Sequence, residues 1–213
     1  MRGSGTWLDG PRGARPAFRE TVALAVAILL ACAPVWAERT QLKPGWNVFS
    51  AQQDVEIGRN VSRDAERQLV MLNDPRVDRY VDALGKRLAG HAPGENFPYQ
   101  FRVVNDRAIN AFALPGGYVY INRGVIEAAD NEAQLAGVMA HEIGHVALRH
   151  GTNQATKAYF TQGLLGILGG MVGSGSAGSI ATQLGAGFVA SSVLLKYSRD
   201  AERQADIIGT QIL

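Results

Sequence analysis

The sequence is short of several features that would point to particular classes of protein. Its 213 residues include a single cysteine, Cys32, so no disulfide can form within the chain and the fold has to rest on its own core. The net charge is only +2, which gives no electrostatic basis for binding nucleic acid. Hydrophobic residues make up 46% of the chain, a share that is typical of a globular protein and too high for a disordered one.

The sequence also lacks a long apolar run near its N-terminus. The stretch from Val22 to Ala33 follows several arginines but is too short to span a bilayer comfortably. Val35-Trp36-Ala37 then resembles the small-residue cleavage site of a signal peptide. We interpret residues 1–37 as an export signal that is cleaved before Glu38. An uncleaved membrane anchor is the alternative.

Cys32 allows a second interpretation of the same segment. Leu29-Leu30-Ala31-Cys32 resembles a bacterial lipoprotein signal, in which the signal ends at residue 31 and an acylated Cys32 becomes the first mature residue. Alternatively, Cys32 is a small apolar residue inside the signal peptide. Both interpretations predict an exported protein, located in the periplasm or held as an outer-membrane lipoprotein of a bacterium.

Hydrophobic periodicity predicts a mainly helical α+β domain over residues 38–213. Asp74 is expected to cap the second helix and Pro75 to stand at its first position. The predicted elements, in order, are helices over Ser50–Leu72 and residues 75–89, strands over Tyr99–Val104 and Tyr118–Asn122 with the short apolar stretch Ala111–Leu114 between them, a short helix over Gly124–Ala129, a long helix capped by Asp130 and ending near Gly151, and a last helix from about Ser198.

Residues 163–187 combine many glycines with alanine, serine and aliphatic side chains. One interpretation is close helix packing or insertion into a membrane, although Gly-Ser-Gly-Ser at 173–176 argues against a single span. The other is a mobile helical hairpin or loop that covers a cleft.

The strongest motif is His141-Glu142-Ile143-Gly144-His145, on the predicted long helix. Two histidines one turn apart can both reach one zinc ion, and Glu142 then lies where it can take a proton from the attacking water. An ordinary histidine pair on a helix surface is the alternative. The buried stripe of this helix is predicted on another face, formed by Leu135, Met139, Ile143, Val146 and Ala147.

A catalytic zinc needs a third protein ligand and one open position. A metzincin would carry a third histidine six residues after His145, but Gly151 stands there. Glu202 is the only glutamate after His145, and Asp206 follows it one helical turn later. We predict one zinc ion per chain, held by His141, His145 and Glu202, with Asp206 accepting a hydrogen bond from His141. An ordinary charged helix face is the alternative for the two carboxylates.

With these motifs in order, the sequence resembles metallopeptidase family forty-eight, the gluzincin group of the HtpX-like and CAAX prenyl proteases, the mitochondrial Oma-type proteases and bacterial periplasmic relatives. The matching stretches are residues 110–117, residues 141–151 and residues 202–209, and the resemblance extends from about Asp54 to the end of the chain. It is greatest toward the bacterial periplasmic members.

The resemblance implies a mainly helical gluzincin-type metallopeptidase domain, with a small β-sheet over the active-site helix. It also implies roles for particular side chains. His141, His145 and Glu202 would be the ligands, Glu142 the general base and Asp206 a support for a ligand. His150 is excluded as a ligand by its spacing, and we interpret it as a structural histidine at a helix end, where a cation is favourable.

The resemblance further implies that a substrate polypeptide adds as an antiparallel strand to an edge strand above the cleft. Asn110 could contribute a side-chain hydrogen bond, with a turn residue as the alternative. The residues implied in substrate binding are Asn110, Ala111, Phe112 and Ala113.

Together these features predict a zinc-dependent endopeptidase that hydrolyses internal peptide bonds of unfolded or misassembled envelope proteins. The substrate class follows from the resemblance and the predicted export. Two alternatives stay open: an integral-membrane HtpX-like protease, and a zinc-stabilised, chaperone-like binding module with little turnover. Membrane association is expected through the N-terminus or the glycine-rich segment, and no nucleic-acid partner is expected.

Family members usually continue past the glutamate helix and carry a histidine or arginine there that helps to stabilise the oxyanion. We therefore expect the chain to be truncated at its C-terminus and slow as a catalyst. If it is complete, the oxyanion donor has to come from Tyr197, Arg199, Arg203 or the backbone.

Overall fold

The computed structural model describes residues 40–168 and 197–213, without the side chains of residue 159 and of residues 161–168. The export signal predicted for residues 1–37 lies outside this part of the chain. So does most of the glycine-rich segment, whose two interpretations stay predictions. Within the described ranges, no helix is both long enough and apolar enough to cross a membrane.

The described elements alternate between helices and three short strands, which confirms the predicted α+β class with mainly helical content. In chain order they are α1 (Ala51–Glu66), α2 (Pro75–Ala89), β1 (Gln100–Val104), β2 (Ala111–Leu114), a 3-10 turn (Pro115–Gly117), β3 (Tyr118–Asn122), α3 (Arg123–Ala128), α4 (Glu132–Ala147), α5 (His150–Leu168) and α6 (Arg199–Ile212).

Local capping chemistry sets where several helices begin. The Ser50 side chain accepts from the Gln53 N–H, and the Gln53 side chain accepts from the Ser50 N–H in return, which forms a capping box. Asp74 caps α2 ahead of Pro75, and Ser198 caps α6. The predicted starts of α2 and α6 are therefore confirmed.

Helix α1 is shorter than predicted: it ends at Glu66 rather than near Leu72. The Leu72 N–H donates to the Val103 carbonyl, and Met71 forms a bridge with Val104. Residues 71 and 72 therefore pair with strand β1 and do not extend the helix. A hydrophobic pattern alone cannot separate these two outcomes for a short apolar segment.

Both predicted ends of the long helix α4 were wrong. Its N-cap is Asn131, whose side chain accepts from the Gln134 N–H, and not Asp130. The helix stops at Ala147, because Arg149 adopts the left-handed region with a φ of 57°. This turn ends one helix and starts the next, so Gly151, predicted as a C-terminal cap, lies inside α5.

The three strands form one mixed sheet in the order β1-β3-β2. The central strand β3 is parallel to β1 and antiparallel to β2, and it is buried along its whole length. Strand β2 is an edge strand, since none of the described residues pairs with its outer side. Helix α4 packs against β2 and β3, which places the sheet over this helix, as the resemblance implied.

The predicted buried stripe of α4 is confirmed. Leu135, Met139, Ile143, Val146 and Ala147 are each at most 4% exposed. Leu135, Met139, Ile143 and Val146 belong to a core shared with α2, the sheet and the end of α6. Burial of this stripe anchors α4 in the core, while His141 and His145 lie on a different face of the helix.

Helices α4 and α6 pack closely against each other because each has a glycine at the contact. A Cβ atom at Gly144 would lie only 2.8 Å from the Ala205 carbonyl oxygen. One at Gly209 would lie 3.2 Å from the His141 backbone nitrogen. The two glycines thus allow α6 to lie against the histidine-bearing turns of α4.

A short segment before α1 is bonded to the first turns of α5. We call residues 46–49 the N-terminal strap. Its backbone and side chains hydrogen-bond to three polar residues of α5 in the pairs Trp46–Asn153, Asn47–Thr152 and Val48–Thr156. The strap therefore fixes the start of α5, although the two segments are more than a hundred residues apart in sequence.

Candidate active site

Helix α4 carries three of the predicted site residues on one surface. His141 is partly exposed, whereas Glu142 and His145 are 8% and 3% exposed. Because residues four apart lie on the same side of a helix, the two imidazole rings meet, with their centroids 4.7 Å apart. Burial of the stripe that contains Leu135, Met139 and Ile143 fixes the direction in which these groups point.

Helix α6 brings the predicted carboxylates to the same place. The Glu202 Oε2 atom lies 3.3 Å from His141 Nε2 and 3.9 Å from His145 Nε2. The two Nε2 atoms are 3.0 Å apart. Atoms bound at about 2.0–2.1 Å to one tetrahedral ion would be about 3.4 Å apart, so this spacing fits a single metal ion.

The donor chemistry fits a metal as well. Asp206 Oδ1 lies 2.8 Å from His141 Nδ1, as expected from the sequence. Since a carboxylate accepts, Nδ1 carries the hydrogen and the His141 Nε2 atom presents a lone pair. That lone pair faces the Glu202 carboxylate, which is also an acceptor. Such a cluster of electron-pair donors is what a cation such as zinc requires.

His145 is the most enclosed group of the site. Its Nδ1 atom lies 2.9 Å from His150 Nδ1, and the ring of Tyr197 stacks on it with centroids 4.1 Å apart. Burial lowers the pKa of His145 to about 3, with further lowering from His141 and His150. A neutral imidazole is the form that can bind a metal.

Glu142 is buried beside this cluster. Burial raises the pKa of Glu142 to about 7; the neighbouring His141 opposes this rise and Glu202 adds to it. A carboxyl group with a pKa near neutrality can accept and release a proton with little cost at physiological pH.

The interpretation of His150 as a favourable cation was wrong. His150 is the first residue of α5 and does not stand at the C-terminal end of a helix. The helix dipole at this N-terminal position opposes a positive charge. It is 6% exposed, and this burial lowers its pKa. The residue is structural, but as a buried neutral imidazole.

The four residues implied in substrate binding lie on or beside the edge strand β2. Asn110 precedes the strand, and its carbonyl accepts from the Asn122 N–H, so backbone pairing with β3 begins one residue before the strand. The Phe112 ring stacks on Tyr120. Ala113 lines a small cavity together with His145 and Tyr197, which connects this strand to the candidate metal ligands.

Sequence reasoning missed three residues that hold the site. The Arg149 guanidinium makes two hydrogen bonds to Asp54, of 2.6 and 3.0 Å, and a third to the Phe49 carbonyl. Gln204 accepts from His150. Neither contact has a local signal, because an arginine after a helix and a glutamine within one are ordinary surface residues.

Two histidines and a buried glutamate on one helix, with a carboxylate from a second helix as the third candidate ligand, form the arrangement of a gluzincin-type metallopeptidase site. Residues 75–213 match the family described as Peptidase family M48, and the chain belongs to this family. The predicted family is therefore confirmed.

Curated relatives give the same result. The chain is 32% identical over 212 residues to the beta-barrel assembly-enhancing protease of Escherichia coli (strain K12), covering 92% of this chain and 43% of that protein. It is 31% identical over 134 residues to the mitochondrial metalloendopeptidase OMA1 of Schizosaccharomyces pombe, covering 63% and 38%. Metalloprotease YcaL of Escherichia coli (strain K12) is 32% identical over 134 residues, covering 61% and 52%. The chain thus spans less than half the length of the first and second of these relatives.

Proposed function

We propose that the protein is a zinc-dependent endopeptidase, with one zinc ion held by His141, His145 and Glu202. The observation that carries this proposal is the convergence of three electron-pair donors beside the buried carboxyl group of Glu142. A zinc ion at this place would act as a Lewis acid toward the scissile carbonyl and lower the pKa of the attacking water.

The side chains around the metal have separate tasks. Glu142 takes the proton from the attacking water and delivers it to the nitrogen of the leaving amine. Asp206 holds His141 through the 2.8 Å hydrogen bond to Nδ1, which fixes its tautomer and raises its basicity as a ligand.

The outer edge of β2 is proposed to bind the substrate backbone. Asn110 bonds to Asn122 of β3, and the antiparallel ladder alternates between inward and outward groups. The backbone groups of Ala111 and Ala113 therefore point away from β3 and, among the described residues, are open to pairing with an added strand. Recognition through backbone groups would suit substrates of varied sequence.

The relatives and the predicted export signal support a substrate class. One relative is named for enhancing β-barrel assembly, and we extend this to the present chain as action on unfolded or misassembled proteins of the bacterial envelope. The proposed location is the periplasm or the outer membrane. Membrane association would come through the N-terminus or the glycine-rich segment.

Digestion of an unfolded protein tests the proposed activity. We expect internal cleavage by the 213-residue chain, loss of cleavage with a zinc chelator, and recovery when zinc is returned. Glu142→Gln should bind zinc without cleaving. Zinc binding with no cleavage by the unmodified chain would favour the chaperone-like alternative, and a chelator without effect would contradict a metal-dependent reaction.

A further inference from the structure

His150 lies against a proposed metal ligand, yet the proposed reaction does not use it. Its Nδ1 atom is 2.9 Å from His145 Nδ1. On its other side, Nε2 is 3.2 Å from the side-chain oxygen of Gln204 on α6. The buried imidazole of His150 thus connects the outer helix to the inner ligand through two hydrogen bonds.

The side-chain oxygen of Gln204 determines which atom donates in each of the two hydrogen bonds of His150. The Gln204 oxygen can only accept, so His150 Nε2 carries the hydrogen. A neutral imidazole has one such hydrogen, which leaves a lone pair on His150 Nδ1. His145 Nδ1 must then be the donor, and its Nε2 atom is left unprotonated. This atom is the one that faces His141 Nε2 and Glu202.

Hydrogen bonds in the opposite direction would prevent His145 from binding a metal. If the amide nitrogen of Gln204 donated to His150, then His150 would donate to His145 Nδ1, and the hydrogen of His145 would lie on Nε2. That hydrogen would point at the atoms proposed to bind zinc. The direction of this short chain therefore decides whether His145 can act as a ligand.

We propose that Gln204 and His150 are positioning residues, which hold His145 in the tautomer whose Nε2 atom is free to bind the metal. The proposal rests on the zinc site put forward above. It gives each histidine ligand its own support from α6, with Asp206 behind His141 and Gln204 acting on His145 through His150.

The two supports differ in charge for a physical reason. Asp206 is largely exposed, with 72% of its side-chain surface accessible, so water stabilises its carboxylate. The place beside His145 Nδ1 is taken by His150, which is only 6% exposed, and a carboxylate there would have to be buried at a large free-energy cost. A neutral histidine and a partly exposed glutamine fix the same tautomer without burying a charge.

The corner between α4 and α5 places His150 for this contact. Arg149 holds a φ of 57° while its guanidinium is bound by Asp54 and the Phe49 carbonyl. The left-handed residue lets α5 start immediately after α4 ends, which brings the His150 ring back over the last turn of α4. The corner explains how a residue outside the histidine motif reaches one of its rings.

Two substitutions of Gln204 test the proposal in the full chain. Gln204→Leu removes the acceptor, and we expect about a tenfold rise in the zinc dissociation constant, measured by competition with a chromophoric chelator. Gln204→Glu can only accept, so it should keep the wild-type affinity or strengthen it. Gln211→Leu and Gln211→Glu, on the same helix, control for lost polarity and added charge.

The imidazole ¹⁵N spectrum of the metal-free protein supplies a readout that a merely structural role would not move. The expected result is the Nδ1–H tautomer of His145 in the wild type and in Gln204→Glu, and a mixture of tautomers in Gln204→Leu. If Gln204→Leu fails to fold, His150→Gln, which keeps an acceptor, is compared with His150→Leu, and only the second should lose zinc affinity.

The outcomes separate this proposal from the proposed function. A wild-type protein that binds no zinc would overturn both. A wild type that binds zinc with an Nε2–H tautomer of His145 when metal-free would overturn the positioning role alone. The same conclusion follows if Gln204→Leu binds zinc as tightly as the wild type, or if Gln204→Glu is weakened as much as Gln204→Leu.

Discussion

The two helices that build the site present their groups in opposite surroundings. On α4, Glu142 and His145 are buried in a packed core. On α6, the Glu202 and Asp206 side chains are 46% and 72% exposed. The α4 groups are therefore held by packing before any metal binds, whereas the α6 carboxylates depend on their contacts with His141. Changes on α4 should alter stability as well as chemistry, and changes on α6 should weaken metal binding while the fold persists.

The largest expected effect on activity comes from a substitution among the buried groups of α4. Glu142→Gln should lower the turnover of an unfolded substrate by about 10²–10⁴-fold, because it removes the proposed general base. Its zinc content should stay at the wild-type level, since Glu142 is not a proposed ligand. Rates and zinc content are measured on the same preparation, and wild-type turnover in this variant would contradict the proposed mechanism.

The second largest effect is expected from removal of Glu202, the exposed member of the proposed ligand set. Glu202→Ala is expected to weaken zinc binding by more than about 100-fold, the upper range for residues that only support a ligand. The circular dichroism spectrum should not change, because Glu202 contributes little to the core. Asp200→Ala, on the exposed surface of the same helix, is the matched control and should bind zinc normally. Unfolding of Glu202→Ala would break the comparison between the two helices.

The burial of Glu142 should also appear as a dependence of stability on pH in the metal-free protein. Burial raises its pKa to about 7 in the folded state, against an ordinary value of 4.5, so the folded state holds a proton that the unfolded state releases as pH rises from 4.5 to 7. Wild-type stability relative to Glu142→Gln should therefore fall across this window, by about 3 kcal/mol.

Urea denaturation at several pH values measures this difference. The titration of His145 affects both proteins, so its contribution largely cancels when the two are compared. A difference in unfolding free energy that does not vary between pH 4.5 and 8 would show that the Glu142 carboxyl is hydrated in the folded state.

Substitution of Asp206 should weaken zinc binding less than substitution of Glu202. Asp206→Ala removes the acceptor for His141 Nδ1, and we expect zinc affinity to fall by about 10–100-fold. Asp206→Asn, whose oxygen can still accept, should lose less. Equal losses in both variants would show that the charge of Asp206 matters more than its hydrogen bond.

The smallest expected effect concerns the contact between α4 and α6 at Gly144. Gly144→Ala places a methyl group 2.8 Å from the Ala205 carbonyl oxygen, and we expect a loss of about 1–3 kcal/mol in unfolding free energy. Gly137 lies on the same helix with nothing within 4 Å of an added Cβ atom. Gly137→Ala should therefore stabilise the protein by about 0.5–1 kcal/mol, and thermal or urea unfolding measures both changes. Equal effects of the two substitutions would show that the helices are not in tight contact.

What the sequence could predict follows from the range over which each signal acts. The caps at Asp74 and Ser198 and the buried stripe of α4 depend on residues within a turn or two, so their patterns are visible along the chain. Metal chemistry allowed a prediction over a longer sequence distance. A catalytic zinc site with two histidines needs a third protein ligand, and only one glutamate follows them in the sequence. The geometry that brings Glu202 to those histidines could not be read in this way.

The supports of the site were beyond sequence reasoning for the same reason. Arg149 and Asp54 are 95 residues apart, and His150 and Gln204 are 54 apart. No local rule links such residues, and their side chains are common on protein surfaces. The end of α4 was misplaced because Gly151 is the usual choice for a left-handed residue, whereas here Arg149 takes that conformation with Asp54 bound to its side chain.

The N-terminal strap sets a limit on how far the chain could be shortened if the predicted export signal is removed. Starts at Cys32 or at Glu38 both lie before Trp46, so either export route would leave the strap bonded to α5. A cut within residues 46–49 would instead separate the strap from α1 and loosen the corner at Arg149. Proteolysis at this short stretch would then abolish the proposed activity without removing any of the proposed ligands, and the lifetime of that activity would depend on how well the strap is protected.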